Sequence, residues 1–474
     1  MDVVLVNPNP GGKGLNEATV EPPLGLAYIT AMLEKNNFKC KIIDANVLGL
    51  SNDDTIARIP KNTKLIGFYM NSYSYNAVQD LVKKVKILFK DSLTIIGGPV
   101  PSASDPATLL KEIKCDALIR GEGEYSVLEI TKNIKVKNSP FDGPISGLAY
   151  LKSDQSLIVN PIQRILNLDQ LPFPSFHLLP PFKTYKTRSR KKPVAAIITS
   201  RGCAFNCSFC SKDIFERKVT YRSAQNVLEE VDFLVNNYKI KQIDILDDNF
   251  AQNKKRFVEI LDGLIERKYN LALNFQSGIR VENIDKNILE KMKKAGVYKL
   301  AFGIETFDEN VLKIHHKKLN IQKIEEIVKM AKQFGFLVYG FFIIGLPGET
   351  EEGFKKTLYL TKKLDFDVAN FTMAVPFVNT ELYRMIQENG RFLIDTSKNI
   401  DVGFYGGKVF FEYGDCTQNN VLKRYKKAYK EFYSFRKRLK ILMTIKSISE
   451  LIWLITAMFS IVKNSLKIFT YSKK

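Results

Sequence analysis

A length of 474 residues allows two or three domains with cores of their own, and an apolar content of 45% excludes a disordered chain. Six cysteines without a paired pattern, and no signal-peptide pattern ahead of the apolar residues 3–6, exclude a disulfide framework and set the expectation of a reducing cytoplasm. The formal net charge of +21 selects no partner by itself, because basic residues spread as in Val82-Lys83-Lys84-Val85-Lys86 make a solvated face; only residues 183–192 and 422–440 are concentrated enough to ask for an anion.

Residues 1–135 alternate apolar, strand-like runs at 3–6, 41–43, 65–68, 93–96 and 117–119 with helical patterns near 24–35, 77–89, 106–113 and 125–130. Such a rhythm predicts βα repeats around a parallel sheet, a doubly wound, Rossmann-like domain. Glycines follow the fourth and fifth strands in Gly97-Gly98-Pro99 and Gly121-Glu122-Gly123-Glu124. Ligands of these sheets sit beyond the carboxyl ends of the strands, where glycine lets the backbone approach them closely.

Residues 136–192 form the predicted linker. Residues 147–150 and 157–159 flank a turn cluster and are expected to form a hairpin, and the prolines of 168–181 suit an extended strap. His177 lies within the strap as a packing or surface residue, and the basic run 183–192 is expected to be a solvated loop leading into the next domain.

Strand-like runs recur at 194–199, 240–246, 271–275, 297–302, 337–344 and 368–373, and all but the last precede a helical pattern. Residues 193–400 are therefore expected to be a partial (β/α)6 TIM-like barrel, with its chemistry at the carboxyl ends of the strands. The first strand runs into Ser200-Arg201-Gly202-Cys203-Ala204-Phe205-Asn206-Cys207-Ser208-Phe209-Cys210, three thiols within eight residues. Soft thiolates select an iron–sulfur cluster or zinc, and a zinc site would need a fourth ligand that does not lie nearby. Three thiolates on four irons leave one iron open to a substrate. Later strand ends carry Asp247-Asp248-Asn249, Gln276-Ser277-Gly278-Ile279-Arg280, Gly303-Ile304-Glu305-Thr306 and Gly345-Leu346-Pro347-Gly348-Glu349-Thr350. These groups suit amine, hydroxyl and carboxylate partners, although Asp, Ser and Thr also cap helices at such places. His315 and His316 follow the fourth strand, where a polar helix end and a proton-transfer role are the two readings.

In the carboxyl-terminal extension, 401–474, a basic stretch at 422–440 interleaved with Tyr425, Tyr429, Phe432, Tyr433 and Phe435 precedes the mostly apolar 441–462. Its charge-free part is too short for a hydrocarbon core, which needs about 20 residues. Helices lying on an anionic membrane surface are the favoured expectation, with a helix packed on the barrel or a partner second and a membrane span third.

The Cys-x3-Cys-x2-Cys loop and the ordered polar strand ends resemble the radical S-adenosylmethionine (SAM) superfamily. The preceding domain resembles the cobalamin (B12)-binding domain of one large class of it, through Asn7-Pro8, Pro22-Pro23-Leu24-Gly25-Leu26, Ile95-Ile96-Gly97-Gly98-Pro99 and Arg120-Gly121-Glu122-Gly123-Glu124. The resemblance implies that Cys203, Cys207 and Cys210 ligate a 4Fe–4S cluster whose open iron chelates SAM, and that Phe209 flanks the adenine. Asp247, Gln276, Arg280, Gly303, Glu305 and Gly345 are then candidates for the shell around SAM, and Gly97 and Gly98 for the cobalamin nucleotide tail. Members that ligate cobalt through a protein imidazole carry Asp-x-His-x-x-Gly; no histidine precedes His177 here, so cobalamin is expected without a protein ligand.

By the same resemblance the expected activity is reductive cleavage of SAM to a 5′-deoxyadenosyl radical, serving methyl transfer to an unactivated carbon of a hydrophobic, lipid- or isoprenoid-like substrate. Radical cyclisation, coupling or oxidation is the alternative among enzymes, and a membrane-tethered iron–sulfur or cobalamin sensor is the alternative outside them. An external donor such as flavodoxin or ferredoxin would supply the electron, no nucleic-acid partner is expected, and a cytoplasmic protein peripheral to the membrane through residues 422–470 completes the expectation.

Overall fold

Five short apolar segments build the first sheet: β1 (Val3–Asn7), β2 (Cys40–Asp44), β3 (Leu65–Tyr69), β4 (Leu93–Gly97) and β5 (Ala117–Ile119). They are parallel in the order β2-β1-β3-β4-β5. A parallel sheet covered on both faces needs strands apolar on both sides, and all five residues of β1 are buried. The covering helices are α1 (Leu24–Lys35), the short α2 (Ala45–Leu48), α3 (Asn52–Ala57), α4 (Tyr75–Leu88), α5 (Pro99–Ala103), α6 (Pro106–Ile113) and α7 (Glu124–Val136). α1 packs with α7, and α4 packs with α3 and α6. The strand order reverses between β1 and β3, the switch point at which doubly wound sheets open a crevice.

The computed structural model describes residues 1–11, 20–136, 139–275, 277–396 and 408–455. The chain forms two compact units, Met1–Lys186 with Asp213–Glu216, and Thr187–Lys212 with Arg217–Thr396 and residues 408–455. The hairpin expected in the linker is instead part of the first sheet. Its strands β6 (Leu148–Leu151) and β7 (Leu157–Val159) add antiparallel beyond β5, with Leu118 opposite Ala149. An apolar edge strand would otherwise leave its ladder unpaired, and this addition covers it. The proline-rich strap also belongs to this unit: Leu168, Leu171, Phe176 and Leu179 are buried, and Ser175 N–H donates to Ala27 O at 3.0 Å. His177 stays at the surface, with Nε2 2.9 Å from Glu34 Oε1.

In the second unit β8 (Val194–Ile197), β11 (Gln242–Ile245), β12 (Ala272–Phe275), β13 (Val297–Glu305), β14 (Leu337–Ile344) and β15 (Val368–Met373) form one parallel sheet in chain order. β8 is shorter than the run 194–199 suggests, because the chain turns into β9 (Ser200–Arg201), which pairs antiparallel with β10 (Thr220–Tyr221). Sequential order with a helix in each crossover is the topology of a βα barrel segment. Among the described residues no pairing joins β8 to β15, so the sheet is open.

The crossover helices are α8 (Ala224–Tyr238), α9 (Lys254–Arg267), α10 (Lys286–Ala295), α11 (Glu309–Ile314), α12 (Ile321–Gln333) and α13 (Glu351–Lys363). Side chains of Ser223, Asn253, Asp285, Asp308, Asn320 and Thr350 accept from the first backbone N–H groups of these six helices in turn. Beyond them lie α14 (Glu381–Asn389), the strand pair β16 (Arg391–Phe392) and β17 (Phe411–Glu412), α15 (Gln418–Phe432) and α16 (Phe435–Met443).

Two expectations change at the ends of this unit. The aromatics of the basic stretch mostly face protein: Val421, Arg424, Ala428 and Phe432 are the buried stripe of α15. Tyr429 and Tyr433 donate their hydroxyls to Phe371 O and Ala369 O, at 3.0 and 2.7 Å, on edge strand β15. The run 183–192 is likewise solvated only in part: Lys183, Lys186 and Lys192 are exposed, whereas the residues between them pack on protein. Ser189 is fully buried, Arg190 lies 4.5 Å from the Tyr298 ring centroid, and Arg188 lies 5.5 Å from the rings of both Tyr339 and Trp453. Guanidinium planes stack on aromatic faces, so arginines in a basic run can turn inward where rings are available.

Candidate functional site

The cysteine loop follows β9 and is held from four directions. Gly202, with φ +93, donates its N–H to Asp248 Oδ2 at 3.1 Å. The Arg280 guanidinium lies 3.7 Å from the centroid of Phe205 and also pairs with Glu282 at 2.5 Å and with the Lys318 carbonyl. Ser208 O accepts from Leu382 N–H at 2.9 Å, and Cys210 N–H donates to Cys207 O at 3.2 Å. Ser208 Oγ lies 2.5 Å from His315 Nδ1.

Every cysteine is free, and Cys210 is exposed while Cys203 and Cys207 are half-buried. Burial pushes the Cys210 thiol up as well, and it pushes Cys40, Cys115 and Cys416 up to about 12; those three lie apart from one another and from the loop. Among the described residues no three Cys, His, Asp or Glu side chains converge on a single ion. Thiolates of an iron–sulfur cube bind different irons and need no such convergence. Three accessible thiols on a loop braced at both flanks therefore fit a cluster, and Cys203, Cys207 and Cys210 are the residues that would hold it.

The other predicted residues are placed unevenly around this loop. Asp247, on the strand end beside it, is 3% exposed, and its carboxylate accepts from Thr199 N–H at 2.6 Å and from the Thr199 and Ser200 hydroxyls at 2.5 Å. Burial pushes its pKa up, against those hydrogen bonds. Asp247 thus braces the β8–β9 turn that launches the loop. Glu305 has a left-handed backbone, φ +68, and pairs with Lys317 at 2.9 Å. A Cβ on Gly303 would come within 3.0 Å of Glu305 Oε1 and 3.4 Å of Lys317 Nζ, so glycine leaves room for that pair.

Gly345, with φ +84, begins the turn after β14; its N–H donates to Glu349 Oε1 at 3.2 Å, and a Cβ there would meet Val421 at 2.9 Å. Phe209 is half-buried with its ring 6.2 Å from that of His315. Gln276 lies outside the described residues.

In the first unit Gly97 ends β4 and Gly98 has φ +118, a backbone open to glycine alone at low cost. A Cβ on Gly98 would sit 2.7 Å from Met70 O and 3.0 Å from the Tyr69 ring. The ends of β3 and β4 are thus drawn together beside the switch point, and the Met70 carbonyl and Tyr69 ring leave no room for a side chain at position 98. Asp44, at the end of β2, is fully buried and accepts from Asn7 Nδ2 at 2.8 Å and Tyr185 OH at 2.9 Å.

Sequence reasoning missed the partners that hold these groups: Ser208 with His315, Arg280 with Phe205, and Arg424 with Glu349 at 3.0 Å. Each pair is far apart in the chain, and only the alternation of buried positions in α15, with Arg424 on its apolar stripe, carried any signal.

Comparison with known proteins agrees with both units. Residues 197–360 match the Radical SAM superfamily, and residues 15–131 match the B12 binding domain. An uncharacterized methyltransferase of Pyrococcus horikoshii is 34% identical over 382 residues, 79% of this chain and 80% of that one. An anaerobic magnesium-protoporphyrin IX monomethyl ester cyclase of Rubrivivax gelatinosus is 26% identical, over 81% of this chain and 70% of that one. In fold, the chain is similar to the cobalamin-dependent SAM radical enzyme OxsB, solved with aqua-cobalamin and SAM bound; the TM-score is 0.73 at 19% identity, over 95% of this chain and 72% of that one. The chain is an enzyme of the radical SAM superfamily and belongs to its class with an amino-terminal B12-binding domain.

Proposed function

We propose that this enzyme transfers a methyl group to an unactivated carbon of a hydrophobic small molecule. The observation that carries this reading is the braced loop of three accessible thiols, in a chain whose 34% identical relative bears a methyltransferase name. When bound, the 4Fe–4S cluster supplies the electron that cleaves SAM, and cobalamin carries the methyl group. In this reading Cys203, Cys207 and Cys210 ligate the cluster, Phe209, Gly303, Glu305 and Gly345 border SAM, and Gly97 and Gly98 admit the cobalamin tail. Arg280 and Asp247 keep the loop in place, and Gln276 remains a candidate for the SAM shell.

The electron comes from a small external donor such as flavodoxin or ferredoxin. A role at an anionic membrane surface is supported by α16, of which no residue is buried: Phe435 and Met443 are 80% and 72% exposed, and Arg436 and Arg438 lie between them. Among the described residues no helix is long and apolar enough to cross a membrane.

The test is anaerobic turnover of reconstituted protein with a reductant and methyl-labelled SAM. 5′-Deoxyadenosine is expected from the wild type and none above background from Cys207→Ala. Product formation that survives Cys207→Ala would overturn the site, and absence of cobalamin binding in an anaerobic absorbance titration would remove methyl transfer. A cyclase among the relatives favours ring formation as the second reading, which predicts 5′-deoxyadenosine with no label entering the product.

A further inference from the structure

His315 is 1% exposed at the end of α11, and it touches two segments that the chain order keeps far apart. Its Nε2 lies 2.9 Å from Pro347 O, in the turn after β14. A carbonyl only accepts, so Nε2 carries the proton and donates. Nδ1 is then a lone pair, and the Ser208 hydroxyl, between Cys207 and Phe209, donates to it at 2.5 Å. The backbone repeats the link, with Ser208 N–H donating to His315 O at 3.2 Å. Burial lowers the imidazole pKa, in keeping with a neutral ring.

The turn is fixed from its other side as well. Glu349 accepts from Gly345 N–H and from Arg424 of α15, and the Cys416 thiol donates to Leu346 O at 3.3 Å. His315 is therefore the link between a turn held by several further contacts and a loop that must hold three thiols at set spacings. Neighbouring His316 takes no part: it is exposed, with its Nε2 2.9 Å from Glu381.

We propose that His315 is a positioning residue that locks the cysteine loop, through Ser208, to the turn after β14, and so sets where a cluster on the loop stands relative to SAM bordered by that turn. The proposal rests on the assignment of the loop as the cluster site, and its first test does not need the cluster. Amide hydrogen exchange is measured on metal-free wild type, Ser208→Ala, His315→Ala, the double variant and His316→Ala. Ser208→Ala should raise exchange over residues 203–210 by about tenfold and leave 345–350 unchanged. His315→Ala should raise both segments, the double variant should be no worse than His315→Ala, and His316→Ala should match the wild type.

His315→Gln, which keeps a donor near the Nε2 position, should restore the turn but not the loop. In reconstituted protein the two Ala variants should raise KM for SAM more than they lower kcat, and should shift the electron paramagnetic resonance signal of the reduced cluster on adding SAM less than the wild type does. Unchanged exchange over 203–210 in Ser208→Ala, or additive effects of Ser208→Ala and His315→Ala, would overturn the brace. Failure of wild-type protein to take up iron would overturn the cluster assignment alone.

Discussion

At the residue scale, the buried pair of Glu349 and Arg424 sets a pH dependence. Burial raises the Glu349 carboxyl from its ordinary 4.5 to about 7, against the attraction of Arg424. Because the folded value lies above the ordinary one, the folded protein binds this proton more tightly. The stability that follows is full below pH 4.5, is lost as pH rises, and is gone above about 7. Arg424→Gln removes the attractive charge and moves the carboxyl higher still. Wild type and variant should therefore differ least at pH 4.5 and increasingly as pH rises past 7, where wild-type Glu349 ionises beside Arg424 while the variant's stays protonated, the gap reaching about 3 kcal/mol once the pH passes the variant's own higher value and its carboxylate is buried uncompensated. Urea unfolding at the two pH values measures this, and a gap that does not widen with pH would contradict it. Asp247 has a different duty: its carboxylate satisfies one N–H and two hydroxyls that would be orphaned in a buried turn. Asp247→Ala should cost about 2–4 kcal/mol in chemical denaturation, before any effect on SAM is considered.

At the scale of elements, α15 and α16 show how one composition serves two ends. Both are basic and aromatic, and the sequence alone reads them together as interfacial. α15 has a buried stripe and two tyrosine hydroxyls on the edge carbonyls of β15, where an unpaired ladder would otherwise invite association. α16 has no such stripe; Lys437 and Lys440 pair with Asp365, while Phe435, Leu439, Leu442 and Met443 stay exposed. Replacing Phe435 and Met443 with Ser should weaken binding to phosphatidylserine vesicles roughly tenfold without lowering thermal stability, and salt should weaken the wild type too. Vesicle sedimentation reads this, and unchanged binding would remove the membrane role.

At the scale of the whole molecule, the chain beyond the barrel returns to its amino-terminal entrance. Ser447 Oγ donates to Ser189 O at 3.2 Å, Glu450 is 1% exposed, and Trp453 lies under Arg188. Removing residues 447–474 should therefore lower the melting temperature by on the order of 5 °C, since buried Ser189 and half-buried Arg188 lose their cover. A truncated protein that melts like the full chain would show that this segment is not part of the fold.

The sequence by itself determined the two α/β units, the strands that build them, and the loop of Cys203, Cys207 and Cys210, because hydrophobic period and ligand spacing are local properties of a chain. It also placed glycines at strand ends, where backbone shape demands them. Only the tertiary structure decided that the 147–159 hairpin belongs to the first sheet, that Arg188 and Arg190 turn inward, and that α15 serves the barrel edge while α16 keeps its apolar side chains exposed. It alone joined Ser208 to His315 and Pro347. Partners from about thirty to more than a hundred residues apart leave no periodic mark, since what brings them together is the folding of a sheet and not any pattern along the chain.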